Sequence, residues 1–246
     1  MIGDTDRSDE RGITGGAAAL QRPILCLVTD RHRLLARLGR QGDPVAAVVE
    51  QTRAAGCAGI DLVQVRERGL PDRELADLVE RCVEVTRGTP TRVVVNDRVD
   101  IAVATGAAGV HLRSDSIEPR AVRRVVPRGF LVGRSVHDPD EVRSLTRTGD
   151  VDYLTFGTVF ATVSKPTHHR LAGLAGLRDT VKATALPVLA IGGIGEGEVS
   201  WVAQTGAAGI AAIGLFLLGS GDDAAQELRI LAERTRRLFD AAGSLI

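Results

Sequence analysis

The sequence predicts an α/β fold, a single (β/α)8 TIM barrel preceded by a flexible amino-terminal tail. Three observations lead to this prediction. The chain has 246 residues, a usual length for one closed barrel of this kind. From residue 23 onward, short apolar runs alternate with segments of helical pattern. A short glycine-containing segment also recurs before every second apolar run.

Eight short apolar runs are predicted to be strands. Continuous apolar runs of this length are typical of parallel strands that are covered on both faces. The segments between them, such as 71–88 and 223–239, show apolar residues at helical spacing with charged residues between them. An open, doubly wound sheet is the alternative, but regular units without an inserted domain favour the closed barrel. The predicted strands begin near Ile24, Gly59, Thr91, Ala108, Phe130, Val151, Leu186 and Ala208.

Related segments lead into the second, fourth, sixth and eighth predicted strands. They are residues 54–60, 105–110, 148–154 and 205–210, of which "TGAAGV" and "TGAAGI" are the most alike. Each is predicted to be a helix that ends at a glycine, followed by a tight turn into the next strand. Their recurrence after every two units indicates one architecture repeated four times.

The predicted organisation is a flexible tail over residues 1–22, the barrel over 23–240 and a short carboxyl-terminal end over 241–246. The tail is charged and then Gly/Ala-rich, and it lacks the basic start and apolar middle of a signal peptide. No apolar run reaches about 18 residues, the length needed to span a membrane. We therefore expect a cytoplasmic protein with no membrane partner.

Composition excludes several further classes. The formal net charge is +0 and no basic stripe is visible, which argues against nucleic acid as a partner. Cys26, Cys57 and Cys82 are far apart and form no Cys-x-x-Cys pair, so neither a zinc site nor a disulfide framework is predicted. We expect these three residues to be small core residues.

The candidate active site follows from the fold, because TIM barrels keep their chemistry at the carboxyl ends of the strands. Polar residues concentrate at those ends of otherwise apolar runs. Loops are exposed to solvent, which accounts for single polar residues at strand ends. It accounts less well for a set that mixes amide, guanidinium, carboxylate, imidazole and ammonium groups. The set comprises Thr29, Asp30, Gln64, Arg66, Arg68, Asn96, Asp97, His111, Arg113, Ser135, His137, Thr158, Thr162, Ser164 and Lys165.

A phosphate site is predicted after the last two strands, at Gly192 and Gly193 and at Ile213 and Gly214. Small residues let backbone N–H groups approach a phosphate, and a following helix N-terminus adds a favourable dipole. The loops after strands seven and eight are the usual phosphate site of this fold. The alternative is that each glycine only makes a tight turn.

Six motifs give the chain a resemblance to a known family. They are "QVRER" (64–68), "VNDRVDIA" (95–102), "GVHL" (109–112), "VGRSVH" (132–137), "FGTVFATVSKP" (156–166) and "AIGGI" (190–194). Together they resemble the thiamine phosphate synthase superfamily, which includes the TenI-like thiazole tautomerases. The resemblance runs from about residue 23 to residue 240.

The synthase branch of this superfamily joins a pyrimidine pyrophosphate to a thiazole phosphate with Mg²⁺. Its Gln-x-Arg-x-Lys motif corresponds here to Gln64, Arg66 and Arg68, with Arg in place of Lys. Its Thr-x-Thr-Lys pyrophosphate loop corresponds to Thr162, Ser164 and Lys165. The resemblance therefore implies a substrate-binding role for these residues, together with Asn96 and Ser135.

The resemblance supports only half of the magnesium site of the synthase branch. Asp97 matches the first metal-side aspartate, which follows an asparagine. The second aspartate of the family's His-x-Gly-Gln-x-Asp motif falls on Ser116, and Asp115 lies one residue early. A shift of one residue generally redirects a side chain, so whether Asp115 substitutes is left open.

The tautomerase branch needs neither metal nor pyrophosphate, and it moves a proton on a thiazole carboxylate phosphate. "GRSVH" and "NDRVDIA" look like this branch, in which the histidine after strand five shuttles the proton. That histidine corresponds to His137, and an imidazole can both accept and donate a proton near neutral pH. The alternative is a polar residue beside the helix start that "DPDE" predicts.

We therefore expect a thiazole tautomerase without cofactor, with the Mg²⁺-dependent synthase as the alternative. A non-catalytic barrel that binds a thiazole or pyrimidine phosphate is a further alternative, and it gains if His137 faces away from the phosphate loops. The expected partner is a thiazole phosphate, with a pyrimidine pyrophosphate in the synthase alternative, and a homodimer is left open. Among the other histidines we favour a structural role for His111 and a surface position for His32. His168 and His169 are assigned to a lid or to an exposed loop.

Overall fold

A computed structural model describes residues 20–39, 42–162, 171–219 and 223–243. Its strands form one closed parallel barrel in chain order, in which the first strand pairs with the second and with the last. The predicted TIM barrel is therefore confirmed, with every strand where the sequence predicted it. The strands are β1 Ile24–Val28, β2 Leu62–Val65, β3 Arg92–Asn96, β4 Gly109–Leu112, β5 Leu131–Val136, β6 Tyr153–Phe156, β7 Val188–Ile191 and β8 Gly209–Ala212.

Helices follow the strands and cover the outside of the barrel. Two 3-10 turns, Glu196–Glu198 and Gly214–Phe216, begin the connections after β7 and β8. No helix in the described ranges is long and apolar enough to cross a membrane. The helices are α1 Arg31–Arg37, α2 Pro44–Cys57, α3 Asp72–Val85, α4 Val99–Ala104, α5 Pro119–Arg123, α6 Pro139–Thr146, α7 Gly173–Lys182, α8 Val199–Ala203 and α9 Ala224–Gly243.

The first unit contains an additional short helix, α1, which the sequence did not predict. Asp30 caps this helix, since its side chain accepts a hydrogen bond from the backbone N–H of Arg33 at 3.1 Å. The buried carboxylate of Glu67 accepts from the N–H and the guanidinium of Arg31, each at 3.1 Å. The two contacts of Glu67 with Arg31 hold the start of α1 against the loop after β2.

The core has two parts because successive side chains of a strand point to opposite faces. Residues such as Leu25 and Leu27 face the helices in one large cluster, while Ile24 and Cys26 face the barrel interior in a second, smaller one. Tyr153, the only tyrosine of the chain, lies fully buried in the interior cluster. The interior thus depends mainly on aliphatic residues, in keeping with a chain that is only 3% aromatic.

The expectation that all three cysteines are core residues is wrong for one of them. Cys26 and Cys82 are buried, but Cys57 is exposed at the end of α2. Its position in the last turn places it on the outer side of the helix, where the neighbouring Gly56 and Ala55 take the buried positions. Burial raises the pKa of the Cys26 thiol to about 12 and that of Cys82 to about 11, so both stay protonated.

The recurring segments have the predicted conformation. Gly59, Gly106, Gly149 and Gly206 end the turns that precede β2, β4, β6 and β8, and their φ values are 74°, 68°, 67° and 82°. Side chains disfavour this left-handed conformation, which explains why glycine recurs at these four places. The limits of the predicted tail and carboxyl-terminal end remain a prediction, since residues 1–19 and 244–246 lie outside the described ranges.

Glycine at position 133, in the middle of β5, is required by packing instead. A Cβ atom there would lie 2.2 Å from Cζ of Tyr153 and 2.6 Å from Nδ1 of His111. Both neighbours are rigid rings that are buried inside the barrel. The space normally taken by a side chain at this position is therefore filled by the contact between His111 and Tyr153.

Replacement of Gly133 by alanine should destabilise the barrel. We expect Gly133→Ala to lower the free energy of unfolding by about 2 kcal/mol or more, because the methyl group overpacks two rings that cannot withdraw. Gly197→Ala is the matched control: a Cβ atom there meets nothing within 4 Å, so we expect a change of about 0.5 kcal/mol or less. Urea denaturation of the three proteins measures both effects, and equal stabilities for the two variants would contradict this account.

Candidate functional site

A cavity of about 1100 Å³ opens at the carboxyl ends of the strands. Of the sequence-predicted site residues, Asp97 lies beside the cavity, and Ser164 and Lys165 fall outside the described residues, as do His168 and His169. Thr29 is buried and Asp30 caps α1, so neither lines the cavity, while the other predicted residues come together around it. The predicted residues that line the cavity are Gln64, Arg66, Arg68, Asn96, His111, Arg113, Ser135, His137, Thr158, Thr162, Gly192, Gly193, Ile213 and Gly214.

The floor of the cavity is a layer of polar side chains directly above the apolar interior. Nε2 of Gln64 donates to Oδ1 of Asn96 at 3.0 Å, which joins β2 to β3. The strand register pairs Asn96 with His111 and Ser135 with Thr155, so these residues lie at similar heights in the barrel. The parallel register explains how residues from separate parts of the sequence form one surface.

His111 belongs to this layer and is fully buried. Its Nδ1 lies 3.1 Å from the hydroxyl of Tyr153, and its Nε2 lies 3.0 Å from Oγ of Ser135 and 3.2 Å from Oγ1 of Thr155. Burial lowers the pKa of His111 to about 4, so the ring is neutral at physiological pH. The sequence analysis favoured a structural role for His111, and the ring points into the barrel, where both its nitrogens have side-chain partners.

His137 follows β5 at the rim of the cavity, where Asp138 caps α6 as "DPDE" predicted. Its Nδ1 lies 2.5 Å from the carbonyl oxygen of Gly157. A carbonyl oxygen can only accept, so Nδ1 is the donor and Nε2 of the neutral ring remains available as a base. Because His137 lines the same cavity as Gly193, the non-catalytic alternative does not gain from its position.

Among the described residues, five arginines line the cavity, against three acidic residues, Asp115, Glu196 and Glu227. Burial, and then the charge of Arg68, lower the pKa of Arg66, which indicates that positive charge accumulates on this side. Arg33 and Arg37 of α1 also line the cavity, as does Arg113 after β4. The sequence analysis did not identify Arg33 and Arg37, although their spacing of four residues puts them on one face of a helix.

The glycine pair after β7 has a structural reason of its own. Gly192 and Gly193 have φ values of 105° and 66°, and a Cβ atom on Gly193 would lie 2.2 Å from the carbonyl oxygen of Ala161. The N–H of Phe160 donates to the carbonyl of Gly192 at 3.0 Å, so the loop after β6 packs on this turn. These glycines would be needed with or without a bound phosphate.

The helix N-terminus after β7 can contribute little to the binding of a phosphate. The connection begins as a 3-10 turn, and α8 itself has only 5 residues. The backbone N–H of Gly195, at the start of this turn, donates to the carboxylate of Glu198 at 2.9 Å. A carboxylate of the chain thus takes a backbone donor at the start of this turn.

Gly214 after β8 is the better-supported phosphate contact. It is exposed to the cavity, and a Cβ atom there would lie 3.1 Å from Nη2 of Arg33. An anion beside Gly214 would therefore meet a guanidinium as well as backbone. The phosphate site after β7 and β8 remains a prediction, to which the structure adds Arg33.

Asp97, the predicted metal-side residue, has a φ of 66°, which is uncommon for a residue other than glycine and is often found at functional sites. The Ser116 hydroxyl donates to one oxygen of its carboxylate. Nε of Arg113 lies 3.4 Å from the other oxygen and 2.9 Å from the carboxylate of Asp115. Asp115, which lies one residue before the position of the family's second aspartate, is thus exposed and paired with Arg113.

Within the described ranges, no group of three or more His, Cys, Asp or Glu side chains could hold a metal ion.

Gly214 provides a direct test of the phosphate site. We expect Gly214→Ala to weaken the binding of thiazole phosphate by about tenfold, or 1.4 kcal/mol, because the methyl group displaces the Arg33 guanidinium from the anion. Unlike Gly193, Gly214 does not need a positive φ, so the variant should fold normally. Isothermal titration calorimetry measures the affinity, with Gly197→Ala as the control. An unchanged affinity for Gly214→Ala would place the phosphate elsewhere.

Fold and site together define a TIM barrel with a large, arginine-rich cavity at the carboxyl ends of its strands. The sequence model of the thiamine monophosphate synthase family matches residues 25–216, so the chain belongs to this family of thiamine-biosynthesis enzymes. It is 36% identical over 214 residues to a putative thiamine-phosphate synthase of Geobacter sulfurreducens, covering 86% of this chain and 96% of that one. It is 33% identical over 221 residues to the thiamine-phosphate synthase of Roseiflexus castenholzii, covering 90% and 89%.

A solved structure shows the same relationship. Thiamine phosphate pyrophosphorylase from Pyrococcus furiosus superposes with a TM-score of 0.71 at 30% sequence identity, and the match covers 89% of this chain and 96% of that chain. The family resemblance found in the motifs is therefore confirmed. These relatives have the name of the synthase, which the sequence analysis held as its alternative, and not that of the tautomerase.

Proposed function

We propose that the protein is a thiamine-phosphate synthase, which joins a pyrimidine pyrophosphate to a thiazole phosphate. The observation that carries the proposal is that one cavity offers two different places for an anion. Arg66, Arg68 and Arg113 line it after β2 and β4, and Gly214 with Arg33 lines it after β8 and β1. Two phosphorylated substrates need two such places. The names of the relatives support the same activity.

The chain's own residues would divide the work of this reaction. Arg66 and Arg68 would contact the pyrophosphate and stabilise the negative charge that develops as it leaves. The amides of Gln64 and Asn96 form the floor and offer hydrogen bonds that can orient a pyrimidine ring. Gly214 and Arg33 would hold the thiazole phosphate.

Asp97 is the residue that would hold a magnesium ion in this proposal. Magnesium is commonly bound by one or two carboxylates plus substrate phosphates and water, so a single carboxylate fits an ion that is brought by pyrophosphate. When bound, the ion would supply positive charge to the leaving pyrophosphate. Arg113 lies against the same carboxylate and would have to move away from it.

A thiazole tautomerase is the second candidate, and a specific observation favours it. Ser116 and Arg113 already contact both oxygens of Asp97, so the carboxylate has partners from the chain itself without a metal. His137 presents a free Nε2 at the rim of the cavity, which suits a proton transfer on a thiazole carboxylate phosphate. This reaction needs neither magnesium nor pyrophosphate.

Offering both substrate sets to the purified protein separates the two candidates. We expect thiamine phosphate to form from the pyrimidine pyrophosphate and the thiazole phosphate, and the product to disappear when EDTA removes magnesium. We expect Asp97→Asn to lower this rate by at least about a hundredfold, because it removes the metal-binding charge. Asp100→Asn, an exposed carboxylate paired with Arg98, is the control and should retain the rate.

The same experiment can also contradict the synthase proposal. If chromatography detects no thiamine phosphate, while the thiazole carboxylate phosphate is converted to its aromatic isomer with and without EDTA, the synthase proposal is wrong and the tautomerase is correct. A magnesium-dependent rate that survives in Asp97→Asn but not in Asp115→Asn would assign the metal to Asp115.

His137→Asn tests the proton transfer itself. Asparagine can keep a hydrogen bond to the Gly157 carbonyl but has no basic atom in place of Nε2. We expect any aromatisation of thiazole carboxylate phosphate to slow by about a hundredfold or more, while the affinity for thiazole phosphate stays within a few fold. His32→Asn, exposed on α1, is the matched control. Near-normal turnover in His137→Asn would assign the proton to another group.

A further inference from the structure

A line of hydrogen bonds connects the apolar interior of the barrel to the floor of the cavity. It begins at the hydroxyl of Tyr153, passes through both ring nitrogens of His111 and reaches Oγ of Ser135 at 3.0 Å. Oγ1 of Thr155 lies 3.2 Å from both His111 Nε2 and Ser135 Oγ. Tyr153, His111 and Thr155 are buried, while Ser135 is partly exposed to the cavity.

The direction of the first hydrogen bond follows from the burial of Tyr153. Burial raises the pKa of this phenol well above 10, so it keeps its proton. Nδ1 of His111 is the acceptor that the described residues offer to this O–H, and a buried donor left without an acceptor is costly. Tyr153 therefore donates, and Nδ1 of His111 accepts.

The direction of the remaining bonds then follows from valence. A neutral imidazole whose Nδ1 accepts has its proton on Nε2, which donates to Ser135 or Thr155. Because Nε2 carries a hydrogen, it cannot accept from Thr155. Thr155 is buried, and Oγ of Ser135 at 3.2 Å is the acceptor that the described residues leave to its hydroxyl, so Thr155 donates to Ser135. Oγ of Ser135 is left as an acceptor of hydrogen bonds from the barrel, and its own proton is free to point into the cavity.

We propose that His111 is a positioning residue that, held in its Nε2–H tautomer by Tyr153, makes Ser135 a hydrogen-bond donor to an acceptor atom of the substrate. A serine hydroxyl can ordinarily donate or accept. Here the buried partners fill its acceptor side, so the cavity floor selects a phosphate oxygen, a carboxylate oxygen or an unprotonated ring nitrogen, and disfavours a donor group at the same place.

The packing of the strands fixes His111 and Tyr153 in contact with each other. Gly133 lacks a side chain where His111 and Tyr153 meet, and their ring centroids are 5.5 Å apart. The proposal depends on the proposed function only in that Ser135 faces the substrate cavity. The tautomer of His111 and the direction of the bonds do not depend on which reaction the protein catalyses.

Nitrogen-15 NMR of the full chain at neutral pH measures the tautomer directly. We expect one of the five histidines to be neutral with its proton on Nε2, and we expect that signal to vanish in His111→Gln, which assigns it. In Tyr153→Phe, the Nδ1 resonance should shift because it loses its donor. A wild-type His111 protonated on Nδ1, or on both nitrogens, would overturn the proposal.

A double-mutant cycle tests the action through Ser135, with thiazole phosphate and inorganic pyrophosphate as separate calorimetric probes. We expect Ser135→Ala to weaken one probe by about tenfold and Tyr153→Phe to weaken the same probe by about threefold to tenfold. In the Ser135→Ala background, Tyr153→Phe should have no further effect. An equal loss in both backgrounds, or no loss for either probe in Ser135→Ala, would refute the action through Ser135.

A matched control separates this effect from a general loss of stability. Leu131→Val alters the same interior cluster without touching the hydrogen-bonded residues, so it should lower the melting temperature while both probe affinities stay within twofold. If it weakens the probes as much as Tyr153→Phe does, Tyr153 acts through stability alone and the proposal fails. Absence of thiamine phosphate formation would count against the proposed function and leave these results unaffected.

Discussion

Closure of the barrel by the pairing of β1 with β8 is the constraint on which the rest of the structure depends. In a closed parallel barrel every strand ends at the same face, so each loop after a strand faces the same opening. Gln64 reaches Asn96 and His111 reaches Ser135 only because the strands are held in this register. The cavity is therefore a property of the whole barrel and not of any single motif.

The floor of the cavity can be polar because its side chains satisfy one another. Among the described residues, only Oε1 of Gln51 and Nε of Arg134 are buried side-chain atoms without a hydrogen-bond partner, and neither belongs to the layer formed by Gln64, Asn96, His111 and Ser135. A layer whose buried polar atoms are paired costs little to bury and restricts side-chain motion, while its groups at the cavity surface stay available to a ligand. This rigidity allows the floor to present fixed groups to a substrate.

Charge distinguishes the opening from the floor. Arginines from the loops after β1, β2 and β4 surround the opening, and Asp97 is already paired with one of them. Arginines that outnumber the acidic residues at such an opening would favour an anionic ligand. The same pairing connects the two candidate reactions, since an arginine on Asp97 either makes way for a metal ion or takes its place.

The sequence by itself determined the eight strands, the glycine-ended turns before every second strand and the family, because these depend on local periodicity, on backbone conformations open only to glycine, and on motifs. It also identified most of the polar side chains that line the cavity, since strand ends are local features. Only the tertiary structure revealed α1 with Arg33, the contact of Arg113 with Asp97, and the His111–Tyr153 pair over Gly133. Those contacts join residues 16 to 181 positions apart in the chain (Asp97 to Arg113, Arg33 to Gly214), and their geometry is decided by barrel closure and side-chain packing, which no local pattern encodes.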